Sequence, residues 1–209
     1  NAADYYRTNL IGVAALCDQL RVRGWDGRFI QVSTPEVYGA QGGLIKEGAP
    51  FRPSTPYAVS RAAIDMHLRA LHAAFGFRVV FTRSVNVYGP GQPVYRLVPK
   101  TVLSILRGKK LKLHGGGVSG RAWIHIDDAA EAIRCVALKG LEGEDYHLSS
   151  MPYIIIRQLV ETVCVEMREN FDNAVELGPE RIGKDMDYQL DDSKVRSELG
   201  WSNRVSLLD

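Results

Sequence analysis

The apolar residues of the first 90 positions alternate between helical and strand spacing. Over Tyr5–Leu20 and Pro56–Phe75 they recur every three or four residues, which predicts two helices that each bury one face. A short apolar run follows each of these segments, at Arg28–Val32 and at Arg78–Arg83, and predicts a strand. Helices that alternate with strands are typical of a mostly parallel sheet that is covered by helices.

The pattern changes after about residue 90, where helical and extended segments become shorter and less regular. We therefore expect an α/β protein with a parallel-sheet portion over residues 1–90 and a smaller mixed α/β lobe over residues 91–209, without a sharp boundary. The elements predicted for the lobe are helices at 97–106, 128–138 and 156–168, extended segments at 111–113, 122–126 and 186–190, and a short helix that ends at Gly200.

Composition and charge argue against several classes of protein. The 209 residues include 26 Lys and Arg and 24 Asp and Glu, and the net charge of +2 comes without a long basic block. No apolar run approaches the roughly 18 residues of a membrane helix, and no secretory signal pattern is present. We therefore expect a cytoplasmic protein that binds neither nucleic acid nor a membrane. Cys17, Cys135 and Cys164 lie among apolar residues, which favours reduced core thiols over a disulfide or a metal site.

Three polar segments are candidates for a common site. They are Ser33-Thr34-x-Glu36 after the first predicted strand, Tyr57-x-x-x-Arg61 at the start of the second helix, and Arg83-x-x-Asn86-x-Tyr88-Gly89-Pro90 after the next strand. The carboxyl ends of parallel strands meet at one edge of a sheet, so we expect the three segments to face one cleft. Tyr57 and Arg61 lie four residues apart on a helix and therefore share a face. A cation beside a phenol favours the phenolate, which would allow a tyrosine to act as a base near neutral pH.

With these segments in this order, the sequence resembles the extended short-chain dehydrogenase/reductases that act on nucleotide sugars, the NAD-dependent epimerase/dehydratase family. Within that family it is most similar to the dTDP-glucose 4,6-dehydratase group. Each motif is weak by itself, but their order and spacing along nearly the whole chain are specific. The motifs are Thr8-Asn9, Ser-Thr-x-Glu-Val-Tyr-Gly at 33–39, Ser-Thr-Pro-Tyr at 54–57, Asn-x-Tyr-Gly-Pro at 86–90, Arg-Leu-Val-Pro at 96–99, Arg-Ala-Trp-Ile-His-Ile-Asp-Asp at 121–128 and Glu-Leu-Gly-Trp at 198–201.

The resemblance implies a fold and partners. Residues 1–90 would form the C-terminal portion of a Rossmann-like, doubly wound parallel sheet that binds NAD. Residues 91–209 would form the lobe that binds a nucleotide-diphosphate sugar. The resemblance also implies a homodimer in which the helices at 5–20 and 57–75 of two copies pack together.

The resemblance further implies a catalytic role for four residues. Tyr57, with Arg61, would take the proton of the sugar's 4-hydroxyl while hydride leaves carbon 4 for NAD, and Thr34 would hydrogen-bond the 4-oxygen. Glu36 would then remove the acidified proton of carbon 5, the 6-hydroxyl would leave as water, and the hydride would return to carbon 6. Ser33, Tyr57 and Arg61 would contact the cofactor.

Three residues are implied in binding the substrate. Asn86 and Arg121 would hold the diphosphate, because the planar fork of arginine suits phosphate oxygens. Arg181 would lie near the nucleotide.

Three features of the sequence depart from the family pattern. No Gly-rich turn that could bind a pyrophosphate is present, so we expect that segment in a longer protein. We accordingly expect the 209-residue chain alone to be inactive and to have little affinity for NAD. The family's Tyr-x-x-x-Lys is Tyr57-x-x-x-Arg61 here, which keeps the charge but not the compact ammonium group. Pro35 stands where similar dehydratases carry an aspartic acid, which leaves Glu36 as the candidate for both base and acid.

Two other functions stay open. An epimerase or a decarboxylase of the same family would keep Tyr57 and NAD but would use Glu36 differently or not at all. A non-catalytic homologue that binds nucleotide sugars would explain the missing pyrophosphate segment together with Pro35 and Arg61.

Overall fold

A computed structural model describes residues 1–179 and 189–207 of the chain. The strands are β1 Phe29–Val32, β2 Leu44–Ile45, β3 Val79–Ser84, β4 Asn86–Tyr88, β5 Leu111–His114, β6 Gly120–His125, β7 Asp145–Leu148, β8 Tyr153–Ile155, β9 Val175–Gly178 and β10 Gln189–Leu190. The helices are α1 Ala2–Tyr5, α2 Val13–Val22, α3 Pro56–Phe75, α4 Leu97–Leu106, α5 Ile126–Lys139, α6 Ile156–Glu166, α7 Phe171–Ala174 and α8 Ser193–Leu199. A π-helical stretch, Tyr6–Gly12, joins α1 to α2, and short 3₁₀ turns occupy Pro35–Tyr38 and Gly115–Gly117.

Both helices predicted for the first 90 residues are confirmed. The first is one continuous helical segment from Ala2 to Val22, because the residues at each junction keep right-handed helical angles. The second, α3, begins after Thr55, whose side chain accepts a hydrogen bond from the Ala58 N–H. It ends at Gly76, which adopts the left-handed conformation (φ 66°) that favours glycine.

The central sheet contains β1, β3 and β7 in that order, and all three strands are parallel. Alternate residues of β3 belong to different cores, as the two-residue period of a strand requires. Val79 and Phe81 pack with residues of α2 and α3, whereas Val80 packs with residues of α5 and α8. Helices therefore cover both faces of the sheet, and the predicted doubly wound parallel α/β fold is confirmed.

The mixed lobe is built on two smaller sheets. In the first, β6 pairs with β4 in parallel and with β8 in the antiparallel sense. In the second, β5 and β9 form a parallel pair. A third apolar core joins this pair to α4 and α6 through residues such as Leu113, Val160 and Cys164.

Strands cross the predicted boundary at residue 90 in both directions. β7 lies in the range predicted for the lobe but completes the central sheet, while β4 lies before residue 90 but pairs with β6. The sequence pattern predicted no strand at the position of β4 or of β7. Both strands are short and pair with partners that are distant along the chain, which a local pattern does not indicate. The division at residue 90 remains a prediction, since the sheets draw on both portions.

A buried ion-pair network around Arg83 of β3 links three elements of the central layer. Arg83 is 0% exposed, and its guanidinium donates to Asp65 Oδ2 of α3 at 2.7 Å and to the Asp145 carboxylate of β7. Arg69 of α3 donates to the same Asp145 carboxylate. Burial by itself lowers the pKa of Arg83, but the Asp145 and Asp65 carboxylates outweigh it, so the pKa lies above its ordinary value. One helix and two strands thus meet at a single buried charge.

Replacing Arg83 with methionine is expected to destabilise the protein by about 3–5 kcal/mol, because Asp65 and Asp145 would stay buried without their shared cation. Urea unfolding followed by circular dichroism measures the change. Arg134→Met is the matched control, since Arg134 pairs with Glu131 on the exposed surface of α5 and its removal should destabilise the protein far less than removal of Arg83. Equal losses for the two variants would contradict a structural role for the Arg83 network.

Candidate active site

A cavity of about 600 Å³ opens where β1 and β3 end. This volume lies in the range of small-molecule sites. Six of the residues singled out in the sequence contribute to its wall: Ser33, Thr34, Glu36, Tyr57, Asn86 and Arg121. The three polar segments therefore share one cavity, as expected for the carboxyl edge of a parallel sheet. The chemical roles of these residues remain predictions.

The turn after β1 carries Thr34 and Glu36 into the cavity wall. Thr34 is buried and has extended backbone angles, and its Oγ1 accepts a hydrogen bond from the Glu36 N–H at 3.3 Å. This contact caps the 3₁₀ turn. Pro35 occupies the first position of the turn, where the fixed φ of proline is favourable. The local sequence thus fixes the backbone of Glu36 beside that of Thr34.

Tyr57 lies in the first turn of α3 and is half-buried. Its ring packs edge-on against the ring of Tyr5, with centroids 5.5 Å apart. Its carbonyl accepts a hydrogen bond from Ser60 Oγ at 2.7 Å, and Ser60 Oγ in turn accepts one from Asn9 Nδ2 at 3.0 Å. Asn9 belongs to the π-helical stretch, so contacts from the first helical segment support the position of Tyr57.

Arg61 does not line the cavity, although it lies one helical turn after Tyr57. Its Nη2 donates to the carbonyl oxygen of Val32, the last residue of β1. Its Nε is buried and has no hydrogen-bond partner among residues 1–179 and 189–207. The guanidinium is thus held at the end of β1, by the residue that precedes Ser33, and not in the cavity wall.

Ser33 can offer only hydrogen-bond acceptors to the cavity. Its Oγ lies 2.5 Å from Asp65 Oδ2, and Asp65 is fully buried and paired with Arg83. An ionised carboxylate only accepts hydrogen bonds, so the Ser33 hydroxyl must donate its proton to Asp65. The lone pairs of Ser33 remain for a donor group in the cavity.

Asn86 and Arg121 lie on neighbouring strands of the mixed lobe. Asn86 begins β4 and is opposite Trp123 of β6, and Arg121 precedes Trp123 by two residues on the same strand. Arg121 is largely buried, and its Nη1 donates to the Gly120 carbonyl at 2.6 Å. The cavity therefore combines the edge of the central sheet with a cationic side chain of the lobe. Arg181, also singled out in the sequence, lies outside the described residues.

The cavity wall includes polar groups that the sequence analysis did not propose as site residues. Ser84 Oγ, Gln92 Oε1 and Trp123 Nε1 are buried and have no hydrogen-bond partner within the described part of the chain. The Gly- and Pro-rich run at 89–93, directly after a strand, is a signal that could have indicated Gln92. Trp123 offers no such signal, because a tryptophan within an apolar run has the pattern of a core residue.

No group of three His, Cys, Asp or Glu side chains within the described ranges is arranged to hold a metal ion. None of the helices described is long and apolar enough to cross a membrane. Cys17, Cys135 and Cys164 are free and buried, which confirms the predicted core thiols.

The chain is similar to curated enzymes along its whole length. A dTDP-glucose 4,6-dehydratase of Streptomyces niveus is 37% identical over 210 residues, which cover 100% of this chain and 62% of that relative. A trifunctional UDP-glucose 4,6-dehydratase, epimerase and reductase of Arabidopsis thaliana is 32% identical, and the match covers 99% of this chain and 31% of the plant enzyme. The chain thus spans less than two thirds of the length of these relatives.

Solved structures with the same fold include dehydratases and an epimerase. The crystal structure of a dTDP-glucose 4,6-dehydratase from Streptomyces venezuelae with NAD bound has a TM-score of 0.94 and 35% identity, and the match covers 99% of this chain and 64% of that one. A UDP-glucose 4-epimerase from Thermotoga maritima, solved with UDP-glucose, has a TM-score of 0.92 and 26% identity, with coverage of 100% and 68%. The fold is therefore shared by enzymes with different reactions.

A family model described as NAD dependent epimerase/dehydratase matches residues 1–149. This range contains the whole central sheet and the six predicted residues of the cavity wall. It is also more than half of the 209 residues. The chain belongs to the NAD dependent epimerase/dehydratase family.

Proposed function

We propose that the protein containing this chain is an NAD-dependent nucleotide-sugar 4,6-dehydratase. The observation that carries this proposal is the presence of Thr34, Glu36 and Tyr57 in the wall of one cavity, together with Asn86 and Arg121. The 37% identity to a dTDP-glucose 4,6-dehydratase supports the same activity. Because the chain spans 62% of that relative, the proposed activity is that of the whole protein, and we propose that the 209-residue chain alone is inactive.

The residues present fit the nicotinamide end of NAD. When bound, NAD supplies a hydride acceptor and later returns the hydride. Ser33 can only accept a hydrogen bond from the cavity, which suits the amide donor of a nicotinamide. Tyr57 lines the same cavity, and Arg61 holds the backbone beside Ser33. Ser33 and Tyr57 are therefore the proposed cofactor contacts in the cavity wall, and Arg61 is proposed as a third on the basis of the sequence resemblance.

The proposed proton transfers are carried by two residues. Tyr57 takes the proton of the sugar's 4-hydroxyl, and the Thr34 hydroxyl hydrogen-bonds the same oxygen. A carbonyl at carbon 4 acidifies the proton on carbon 5, which Glu36 then removes. Pro35 has no acidic group, so Glu36 also returns a proton to the leaving 6-hydroxyl, which departs as water.

The lobe is proposed to bind the nucleotide-diphosphate part of the substrate. Arg121 provides a fork of N–H donors, which matches the paired oxygens of a phosphate. Asn86 lies on the adjacent strand and offers an amide to the same group. Arg181 is proposed to contact the nucleotide on the basis of the sequence resemblance.

The leading alternative is a 4-epimerase of the same family. The similarity to the UDP-glucose 4-epimerase of Thermotoga maritima favours it. An epimerase inverts carbon 4 and breaks no bond to the proton of carbon 5, so it needs Tyr57 but not the base proposed at Glu36. The fate of carbon 5 therefore separates the two reactions.

We also propose that the protein acts in the cytoplasm. Its three cysteines are buried free thiols. Unpaired cysteines are typical of the reducing compartments of a cell.

Glu36→Gln is expected to lower 4-keto-6-deoxy sugar formation about 100- to 10,000-fold, because an amide of the same size cannot accept the carbon 5 proton. The measurement incubates the whole protein with NAD and a panel of nucleotide sugars that includes dTDP-glucose and UDP-glucose, and identifies products by NMR. Glu161→Gln, on the surface of α6, is the control and should leave turnover unchanged.

Other products of the same panel would replace the proposal. Inversion at carbon 4 with the 6-hydroxyl retained, undiminished in Glu36→Gln, would identify an epimerase. Loss of carbon dioxide from a sugar acid would identify a decarboxylase. Binding of a nucleotide sugar without turnover of any panel member would identify a non-catalytic homologue.

Arg61→Lys is expected to stay within about tenfold of the wild-type kcat, whereas Arg61→Met should lose about 100-fold or more. Lysine keeps the charge near Tyr57, and methionine keeps only the apolar stem. Wild-type kcat in Arg61→Met would show that turnover does not need the Arg61 charge. A lysine variant that is active where the wild type is not would favour the non-catalytic homologue.

We propose a homodimer through the helices at 5–20 and 57–75. Both helices expose large apolar side chains: Ile11 (61% exposed) and Leu16 on the first, and Val59 and Met66 (62%) on the second. Exposed apolar groups on adjacent helices are typical of a protein interface.

Met66→Glu is expected to shift the protein from dimer to monomer, because a charge would be buried in the interface. Sedimentation equilibrium measures the mass. Leu138→Glu on α5, where the leucine is 64% exposed, is the matched control and should leave the mass unchanged. A dimer that persists in Met66→Glu but dissociates in Leu138→Glu would place the interface elsewhere.

A further inference from the structure

The buried side chain of Tyr38 fixes the 3₁₀ turn that carries Glu36 to the protein core. Tyr38 is 0% exposed and ends the turn, two residues after Glu36. Its ring packs edge-on against Phe51 at 5.8 Å between centroids, and the Arg83 guanidinium lies 5.4 Å from the ring. The hydroxyl of Tyr38 lies 2.8 Å from Nε2 of His147, a fully buried residue of β7. This contact links the turn directly to the central sheet.

The Tyr38–His147 hydrogen bond joins two uncharged side chains. Burial, assisted by the Arg83 charge, lowers the pKa of His147 to about 4, so the imidazole is neutral at physiological pH. Burial raises the pKa of Tyr38 above its ordinary value, so the phenol keeps its proton. Glu47 Oε2 lies 4.0 Å from His147 Nδ1, beyond hydrogen-bonding distance, and Nδ1 has no hydrogen-bond partner among the described residues. The phenol and the neutral imidazole therefore share one hydrogen bond, between the Tyr38 hydroxyl and Nε2.

Glu47 also fixes the backbone of the acceptor. Its Oε1 accepts a hydrogen bond from the His147 N–H at 2.9 Å, which β7 does not use for pairing with β3 at that position. Glu47 thus touches both the backbone and the ring side of His147. The backbone of the residue that bonds Tyr38 is thus held by a carboxylate that follows β2.

We propose that the Tyr38–His147 hydrogen bond sets the position of Glu36 in the cavity, so that Tyr38 and His147 are positioning residues for proton removal from carbon 5. The inference rests on the proposed function and deepens it. Neither side chain lines the cavity, and both act through the backbone of the turn. A catalytic base must lie within hydrogen-bonding reach of its proton, and a misplacement of about 1 Å can cost roughly 100-fold in rate.

Tyr38→Phe tests the inference, because it deletes one hydroxyl and keeps the ring packed against Phe51. In the whole protein with NAD, we expect kcat to fall about tenfold with KM unchanged within about twofold, as for a base that is displaced by a fraction of an ångström. The kinetic isotope effect of substrate deuterated at carbon 5 should rise, and that of substrate deuterated at carbon 4 should not. A loss of stability alone would leave both isotope effects as they are in the wild type.

A second measurement needs neither cofactor nor turnover. Amide hydrogen exchange of the peptide covering residues 33–39 should be faster in Tyr38→Phe than in the wild type, because the turn loses its link to β7. His147→Gln keeps an acceptor near the position of Nε2, whereas His147→Leu does not. Exchange should therefore be slower, and kcat higher, in His147→Gln than in His147→Leu.

Tyr146→Phe is the matched control. Tyr146 precedes His147 on β7, is also buried, and its hydroxyl donates to Glu198 on α8 rather than to the turn. It should change neither the isotope effects nor the exchange of residues 33–39. The inference is overturned if Tyr38→Phe shows wild-type exchange of residues 33–39 or a wild-type carbon 5 isotope effect, or if Tyr146→Phe changes both as Tyr38→Phe does. A wild-type protein that inverts carbon 4 without breaking the carbon 5 bond would overturn the proposed dehydratase, while faster exchange in Tyr38→Phe would still support the anchoring of the turn.

Discussion

The structure depends on keeping one arginine charged in the middle of a sheet. A cation on the central strand of a three-stranded sheet is tolerated only where carboxylates reach it, because an unpaired buried charge is very costly. Arg83 therefore requires Asp65 from α3 and Asp145 from β7, and each of these elements is held at a fixed distance from β3. Since β7 comes from the second half of the chain, this requirement also joins the two halves.

The same network extends to the edge of the cavity. Asp65 accepts hydrogen bonds from Gln31 and Ser33 on the β1 side while it pairs with Arg83. The proton of Ser33 is thereby directed into the protein, and only its lone pairs face the cavity. Arg83 also lies near the ring of Tyr38, the last residue of the turn that carries Glu36. The buried charges of Arg83 and Asp65 therefore contact residues at the edge of the cavity, and a substitution of either should also alter the cavity wall.

The sequence was sufficient for elements with strong local signals and insufficient for those defined by distant partners. The local sequence is enough to predict α3, because it contains the helical spacing, the Thr55 cap and the terminal Gly76. β7 has Asp145 and His147 among its four residues, a composition that argues against a buried strand. Those polar residues are buried because Arg83 and Tyr38 pair with them, and no local pattern contains that information.

The candidate site shows the same limit at the scale of single side chains. Spacing along a helix correctly places the backbones of Tyr57 and Arg61 on one face, but the length of an arginine lets its head reach elsewhere. Here the guanidinium is held by the Val32 carbonyl at the end of β1 and does not line the cavity. A lysine at this position would offer a compact ammonium without the fork that spans to the strand. Arginine in place of the family's lysine therefore keeps a positive charge but fixes it at the end of β1. The family motif accordingly predicts that a cation is present but not which atoms it contacts.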